Sequence, residues 1–353
     1  FGTQLFGRSA GFIAAVSMLF VPRFFFHAHL SAFDVGVITT SLATIYAYWR
    51  SLHSTRWAIA AGIFWGLALL TKHNAFFIPI PLVLAWLAAD FPTIIRNPTA
   101  ETLSNRKRWI ARSIWIIPTI IVLFAAGIKW GLLTGIIAWL LSLAWTQSRI
   151  RFPAMPKAFL LMPPIGFTLY FLLWPCLWYD TAQSFHEYFN FHWEHVHYLQ
   201  QYFGTVLQVP PFPVELPLMM TVLTVPAPQL LLFLCGVTTV FIIRRAQWSP
   251  HDRWFLLLNM AFPILLISMP NTPIFGGVKH WFMTMVFFAF FVGVGFDWLV
   301  KKILLKMPKK RTLAVAMGLV LATVLLSSSV IDSIRHRKHG TAYYNMLAGG
   351  VDG

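Results

Sequence analysis

Two charged side chains stand where a strongly apolar chain can least carry them. Asp34 follows His27-Ala28-His29 and opens the apolar run 33–50; Lys72 lies in Thr-Lys-His-Asn between the runs 57–71 and 75–90. A charge at a membrane surface is costly unless it is solvated, paired or used. For Asp34 two readings stand: a charge favoured by a helix N-terminus that Ser31 could share, or a carboxylate kept for function. For Lys72 the alternatives are a lysine snorkelling to the interface and an ammonium facing a cavity. The near absence of a loop on either side favours the second, and a compact ammonium suits a phosphate or similar anion.

Histidine gathers in the same class of positions. His27, His29, His73, His186, His192, His195, His197 and His280 all fall in connecting segments of one set. In His-Glu-Tyr-Phe-Asn-Phe-His-Trp-Glu-His-Val-His, a helix would put His192 and His195 on one face with Glu194 or Glu187 nearby. That makes a divalent metal conceivable as a cofactor, with His192, His195 and Glu194 as weak candidate ligands. No recognised zinc spacing is present, so the expectation is no metal and an aromatic helix lying on the membrane as a cover. In Pro-Asn-Thr-Pro-Ile-Phe-Gly-Gly-Val-Lys-His, Gly276 and Gly277 allow close backbone approach to a ligand beside Lys279 and His280. A flexible turn with interfacial charges explains that segment as well.

The elements that must position these residues are helices in a bilayer. Of 353 residues, 58% are hydrophobic and only 11% charged, and mean hydropathy is +0.68. A soluble domain is typically about a quarter charged, so water-soluble packing is excluded. A bilayer core of about 30 Å demands runs of roughly 17 to 25 apolar residues. Such runs are read at 9–26, 33–50, 57–71, 75–90, 109–127, 130–147, 158–175, 216–243, 254–269, 280–300 and 312–331. The fold class expected is an all-α polytopic membrane protein with about eleven transmembrane helices. Alternating barrel strands are absent from the pattern. Residues 1–331 form the transmembrane domain, with a long outer loop at 176–215, and 332–353 begin an outer C-terminal segment.

The net charge of +16 is distributed as topology, and no nucleic-acid partner is expected. Linkers 50–56, 91–108, 148–157, 244–253 and 301–311, with Arg8 and Arg112, hold 20 of the 27 Lys and Arg. The opposite short loops hold Arg23, Lys72, Lys129 and Lys279. The basic set is therefore cytoplasmic, and the side bearing Asp34, Lys72 and the histidines is outer. Cys176 and Cys235 define no disulfide framework. The chain opens on Phe1 and stops at Gly-Gly-Val-Asp-Gly, as a piece of a longer protein would.

The order of these segments resembles the bacterial membrane glycosyltransferases related to protein O-mannosyltransferases and the lipid A aminoarabinose transferase. The resemblance rests on GRSAGFIAAVSMLFVPRFFFHAHLSAFD, WGLALLTKHNAFFIPIPLVLAW, LLWPCLWYDTAQSFHEYFNFHWEHVHY, GGVKHWFMTMVFFAFFVG and TAYYNMLAGG. It implies a GT-C fold and transfer of a sugar from a polyprenyl-phosphate carrier to a protein, lipid or glycan acceptor at the outer face of a bacterial inner membrane. It also implies that Asp34 matches an acidic position at the active-site mouth. Lys72 and Lys279 match positions near the lipid phosphate, with His27, His29, His73 and His280 beside them. The family's principal catalytic acid lies upstream of every residue here. Two alternatives remain in view: a non-catalytic structural subunit of a larger membrane assembly, and a secondary transporter, for which no internal repeat is found.

Overall fold

Pro22 and Pro226 decide how two of the apolar runs are used. A proline cannot donate into a helix, and it drives the residue before it towards extended backbone. Val21 is extended (φ −76°, ψ 116°) and Val225 likewise (φ −99°, ψ 137°). The computed structural model describes residues 1–30, 32–96, 134, 135, 137, 149, 150, 154–193, 197–272, 277–306 and 311–350. In it the expected span 9–26 is two helices, α2 (Arg8–Leu19) and α3 (Pro22–Ala28), bent by 73°. The expected span 216–243 is likewise broken into α9 (Leu216–Thr224) and α10 (Ala227–Thr238), with a bend of 115°.

The remaining helices follow the apolar runs closely. A short α1 (Gly2–Phe6) precedes α2; then come α4 (Phe33–Ser51), α5 (Thr55–Thr71) and α6 (Pro79–Ile94). Further on lie α7 (Lys157–Leu173), α8 (Thr181–Trp193), α11 (Pro250–Ile267), α12 (Phe282–Lys306) and α13 (Arg311–Arg335). Contacts divide the chain into two compact units, Phe1–Ala85 with Pro156–Gly353, and Trp86–Met155. The second contains the end of α6 and the two-residue antiparallel strands β1 (Ile95–Arg96) and β2 (Arg149–Ile150). The expected spans 109–127 and 130–147 lie almost wholly outside the described residues.

Among the described residues, two helices are long and apolar enough to cross a membrane, at Gly277–Lys306 and Ala316–Arg335, or up to four if each bent pair is one span. Eleven spans are therefore not confirmed among the described residues. The physical reason is visible in the helices that fall short. α5 and α7 are apolar but only 17 residues long. α4 carries Asp34 in its first turn and Arg50 in its last.

The core of the larger unit is α12, which is buried on all sides from Thr284 to Phe296 and packs against α2, α10, α11 and α13. Small residues make this possible. A Cβ at Gly293 would run into the Ala10 carbonyl, one at Gly295 into the Leu232 carbonyl, and one at Gly236 into the Phe291 carbonyl. Close backbone approach at small residues is how helices gain contact where apolar burial alone gives no preference. A second packing group joins α4, α5 and α7. After α8, the outer loop expected at 176–215 continues as a hairpin, β3 (Gln200–Tyr202) with β4 (Thr205–Leu207).

Candidate functional site

Thr71 ends α5, and Lys72 turns fully extended (φ −163°, ψ 133°) before a 3₁₀ turn over His73–Phe77. Trp65 fixes that turn by donating its Nε1–H to the Ala75 carbonyl at 2.9 Å. Gly36 lets α4 approach here, since a Cβ at that position would lie 3.0 Å from Thr71 Cγ2. The result brings the Lys72 ammonium 2.9 Å from Asp34 Oδ1, in the first turn of α4. His27, one helix earlier, puts Nδ1 3.6 Å from Asp34 Oδ2, just beyond hydrogen-bond range. Its ring is wedged edge-on against Phe282, centroids 5.1 Å apart.

Asp34 is only 7% exposed and His27 6%. An ammonium at hydrogen-bond distance favours the ionised carboxylate, offsetting the cost of removing it from water. Lys279 lies close enough to interact electrostatically with both Asp34 and Lys72. One carboxylate therefore sits with two lysines and a histidine, which leaves the cluster net positive and suited to an anion.

Not every expected site residue joins this cluster. His29 is exposed and binds back on its own helix, Nδ1 lying 2.6 Å from the Phe25 carbonyl. His73 turns into an aromatic group, 4.0 Å from the Tyr188 ring and 4.8 Å from that of Trp174. It thereby joins the Lys72 turn to α7 and α8. His280 is half-buried in the same 3₁₀ turn as Lys279, Gly277–Trp281. Of the weak metal candidates, Glu194, His195 and the His192 side chain lie outside the described residues. Among the described residues, no group of three or more His, Cys, Asp or Glu is placed to hold a metal.

Arg23 was only a loop charge in the sequence, yet it is 3% exposed. Its Nε and Nη2 donate to the Tyr343 carbonyl at 3.2 and 3.1 Å, and its guanidinium lies 4.8 Å from the Tyr344 ring centre. The proline before it, in a broken apolar run, is the signal that could have shown it turning inward. The residues after α13 fold back onto the bundle to meet it. Asn345 Nδ2 donates to the Val222 and Val225 carbonyls at 2.7 and 2.6 Å, and its backbone N–H donates to Leu223. Tyr343 donates its hydroxyl to Asp332 at 2.9 Å. Burial first, and then Asp332, push that phenol well above the ordinary tyrosine range.

Broken helices around a central buried helix, with a charged cluster at one end, make a fold of the GT-C type. Residues 2–126, which carry His27, Asp34 and Lys72, match the family model described as dolichyl-phosphate-mannose-protein mannosyltransferase. The fold is similar to that of the archaeal oligosaccharyltransferase AglB from Archaeoglobus fulgidus, solved in complex with an inhibitory peptide and a dolichol-phosphate. The TM-score is 0.50 at 14% identity, over 95% of this chain and 42% of that one. A crystal structure of the Archaeoglobus fulgidus oligosaccharyltransferase in the apo form gives 0.47 at 15% identity over the same shares. This chain thus spans less than half the length of those proteins. No curated protein matches it.

Proposed function

We propose that this chain is the membrane part of a glycosyltransferase that moves a sugar from a polyprenyl-phosphate carrier to an acceptor at the outer face. The observation that carries the proposal is the Lys72–Asp34 ion pair, with His27 and Lys279 around it, at one end of a GT-C fold. The solved relative's dolichol-phosphate supports a lipid phosphate as the anion. In this reading the acceptor hydroxyl oxygen attacks the anomeric carbon, the bond from that carbon to the phosphate oxygen breaks with its electron pair on the phosphate, and the hydroxyl proton passes to the departing phosphate. Lys72 and Lys279 stabilise the charge that grows on the departing phosphate. An Asp34 carboxylate shared with an ammonium is a weak base but a good acceptor, so its part is to orient the incoming nucleophile.

The finer topology belongs to the same proposal. α4, α5, α6, α7 and α11 cross a bacterial inner membrane with the two qualifying helices, and the Asp34 end faces the periplasm. The support is the distribution of Lys and Arg, 20 of 27 on the opposite side.

The test is sugar transfer by the purified full-length protein from a defined polyprenyl-phosphate sugar to peptide and lipid acceptors. Incorporation into either acceptor supports the proposal. A folded protein that binds polyprenyl phosphate but transfers nothing supports a structural subunit built on the same fold.

A further inference from the structure

Arg23 presents a problem that the proposed chemistry does not use. It lies one helical turn before His27 on α3, so the two share a face, and both are buried. Among the described residues no carboxylate lies within ion-pair distance of its guanidinium. A buried cation without a counter-charge is expensive, and here a carbonyl and an aromatic face stand in for one. The third contact is the informative one. Gly277 has φ +65°, and a Cβ there would lie 2.9 Å from Arg23 Nη1. Gly277 opens the 3₁₀ turn that carries Lys279 and His280. A side chain larger than hydrogen would be strained by the backbone conformation, and its Cβ would push the guanidinium aside.

We propose that Arg23 is a positioning residue: gripped by Tyr343 and Tyr344 from the C-terminal segment, its guanidinium sets the Gly277–Trp281 turn and so holds Lys279 towards Asp34. It rests on the proposed function only for what Lys279 binds. The geometry itself links three separate stretches of sequence, α3, the 277–281 turn and the residues after α13. Asn345, anchored on the carbonyls around the α9–α10 break, fixes the register of that C-terminal segment. A residue acting only as a staple for the C-terminal segment would leave the 277–281 turn unchanged when removed.

The experiment is amide hydrogen exchange on full-length Arg23→Gln, paired with binding of a short-chain polyprenyl phosphate to the same protein in detergent micelles. Exchange in 277–281 is expected to accelerate on the order of tenfold as the turn loses the guanidinium packed against Gly277, with α4 and α5 unchanged. Affinity for the lipid phosphate is expected to fall about tenfold in parallel. Unchanged exchange at 277–281 overturns the inference, whatever the wild type binds. Faster exchange in a protein whose wild type binds no polyprenyl phosphate upholds the positioning role and defeats the functional reading instead. Should Arg23→Gln fail to fold, Tyr344→Leu removes the ring and keeps the carbonyl grip. It is expected to accelerate the same amides about threefold, and no change there overturns the inference.

Discussion

The ion pair between Lys72 and Asp34 joins two residues that the sequence could place on one side of the membrane but not beside each other. Their shared sidedness followed from the charge count. Their contact depends on Lys72 leaving α5 in an extended conformation and on Gly36 admitting Thr71, neither of which a hydropathy pattern encodes. Arg23 was less legible still, because its partners, Tyr343 and Tyr344, lie at the far end of the chain, the first of them 320 residues away. His29 stands apart from the cluster: its Nδ1 lies at hydrogen-bond distance from the Phe25 carbonyl on its own helix. Tyr343 offers a pH test at this scale. Its folded-state phenol titrates above the unfolded value of about 10, so its stabilising bond to Asp332 is intact below pH 10 and lost as pH rises through the folded value. Thermal unfolding between pH 8 and pH 11 should therefore show a steeper alkaline loss in the wild type than in Tyr343→Phe. Parallel curves would remove Tyr343 from the account.

Helix by helix, the apolar runs fixed where the described elements lie, and proline fixed where two of them break. What the sequence withheld was how the broken ends are satisfied. At Val225 the helix stops, and carbonyls freed inside an apolar bundle must find donors. The donor is Asn345, a residue with no periodic signature, lying in a short segment between turns. Asn345→Ala should leave two acceptors unpaired and destabilise the protein by roughly 2 kcal/mol. The check is the thermal midpoint in detergent, and a shift smaller than one degree would mean water replaces the amide. Gly293 makes a harsher demand, since any Cβ meets the Ala10 carbonyl where α12 crosses α2. Gly293→Val should separate these helices and cost on the order of 3 kcal/mol or more, read as loss of monodisperse protein on extraction.

For the whole molecule, composition alone pointed to a membrane protein, while the described helices confirm two to four of the expected crossings by length and composition. Long apolar runs count equally whether they become one straight helix, a bent pair or a helix at the lower limit of spanning length. The sidedness they imply is open to labelling. Single cysteines at His29 and Lys306 should react from opposite faces of intact cells, and reaction of both from one face would invert or abolish the topology. Function is the remaining claim at this scale, and it rests on the cluster acting on a lipid phosphate. Steady-state sugar transfer from a polyprenyl-phosphate donor, measured on folded full-length Lys72→Ala and Asp34→Asn, tests it most directly. A charge-assisted hydrogen bond is worth roughly 1.5–3 kcal/mol, so each variant should lose about 10- to 100-fold, towards the lower end because Lys72 is partly exposed. The account predicts that Lys72→Ala raises the donor KM, and that Asp34→Asn lowers kcat with the donor KM little changed. An active enzyme whose two variants both keep wild-type kcat and KM would contradict it.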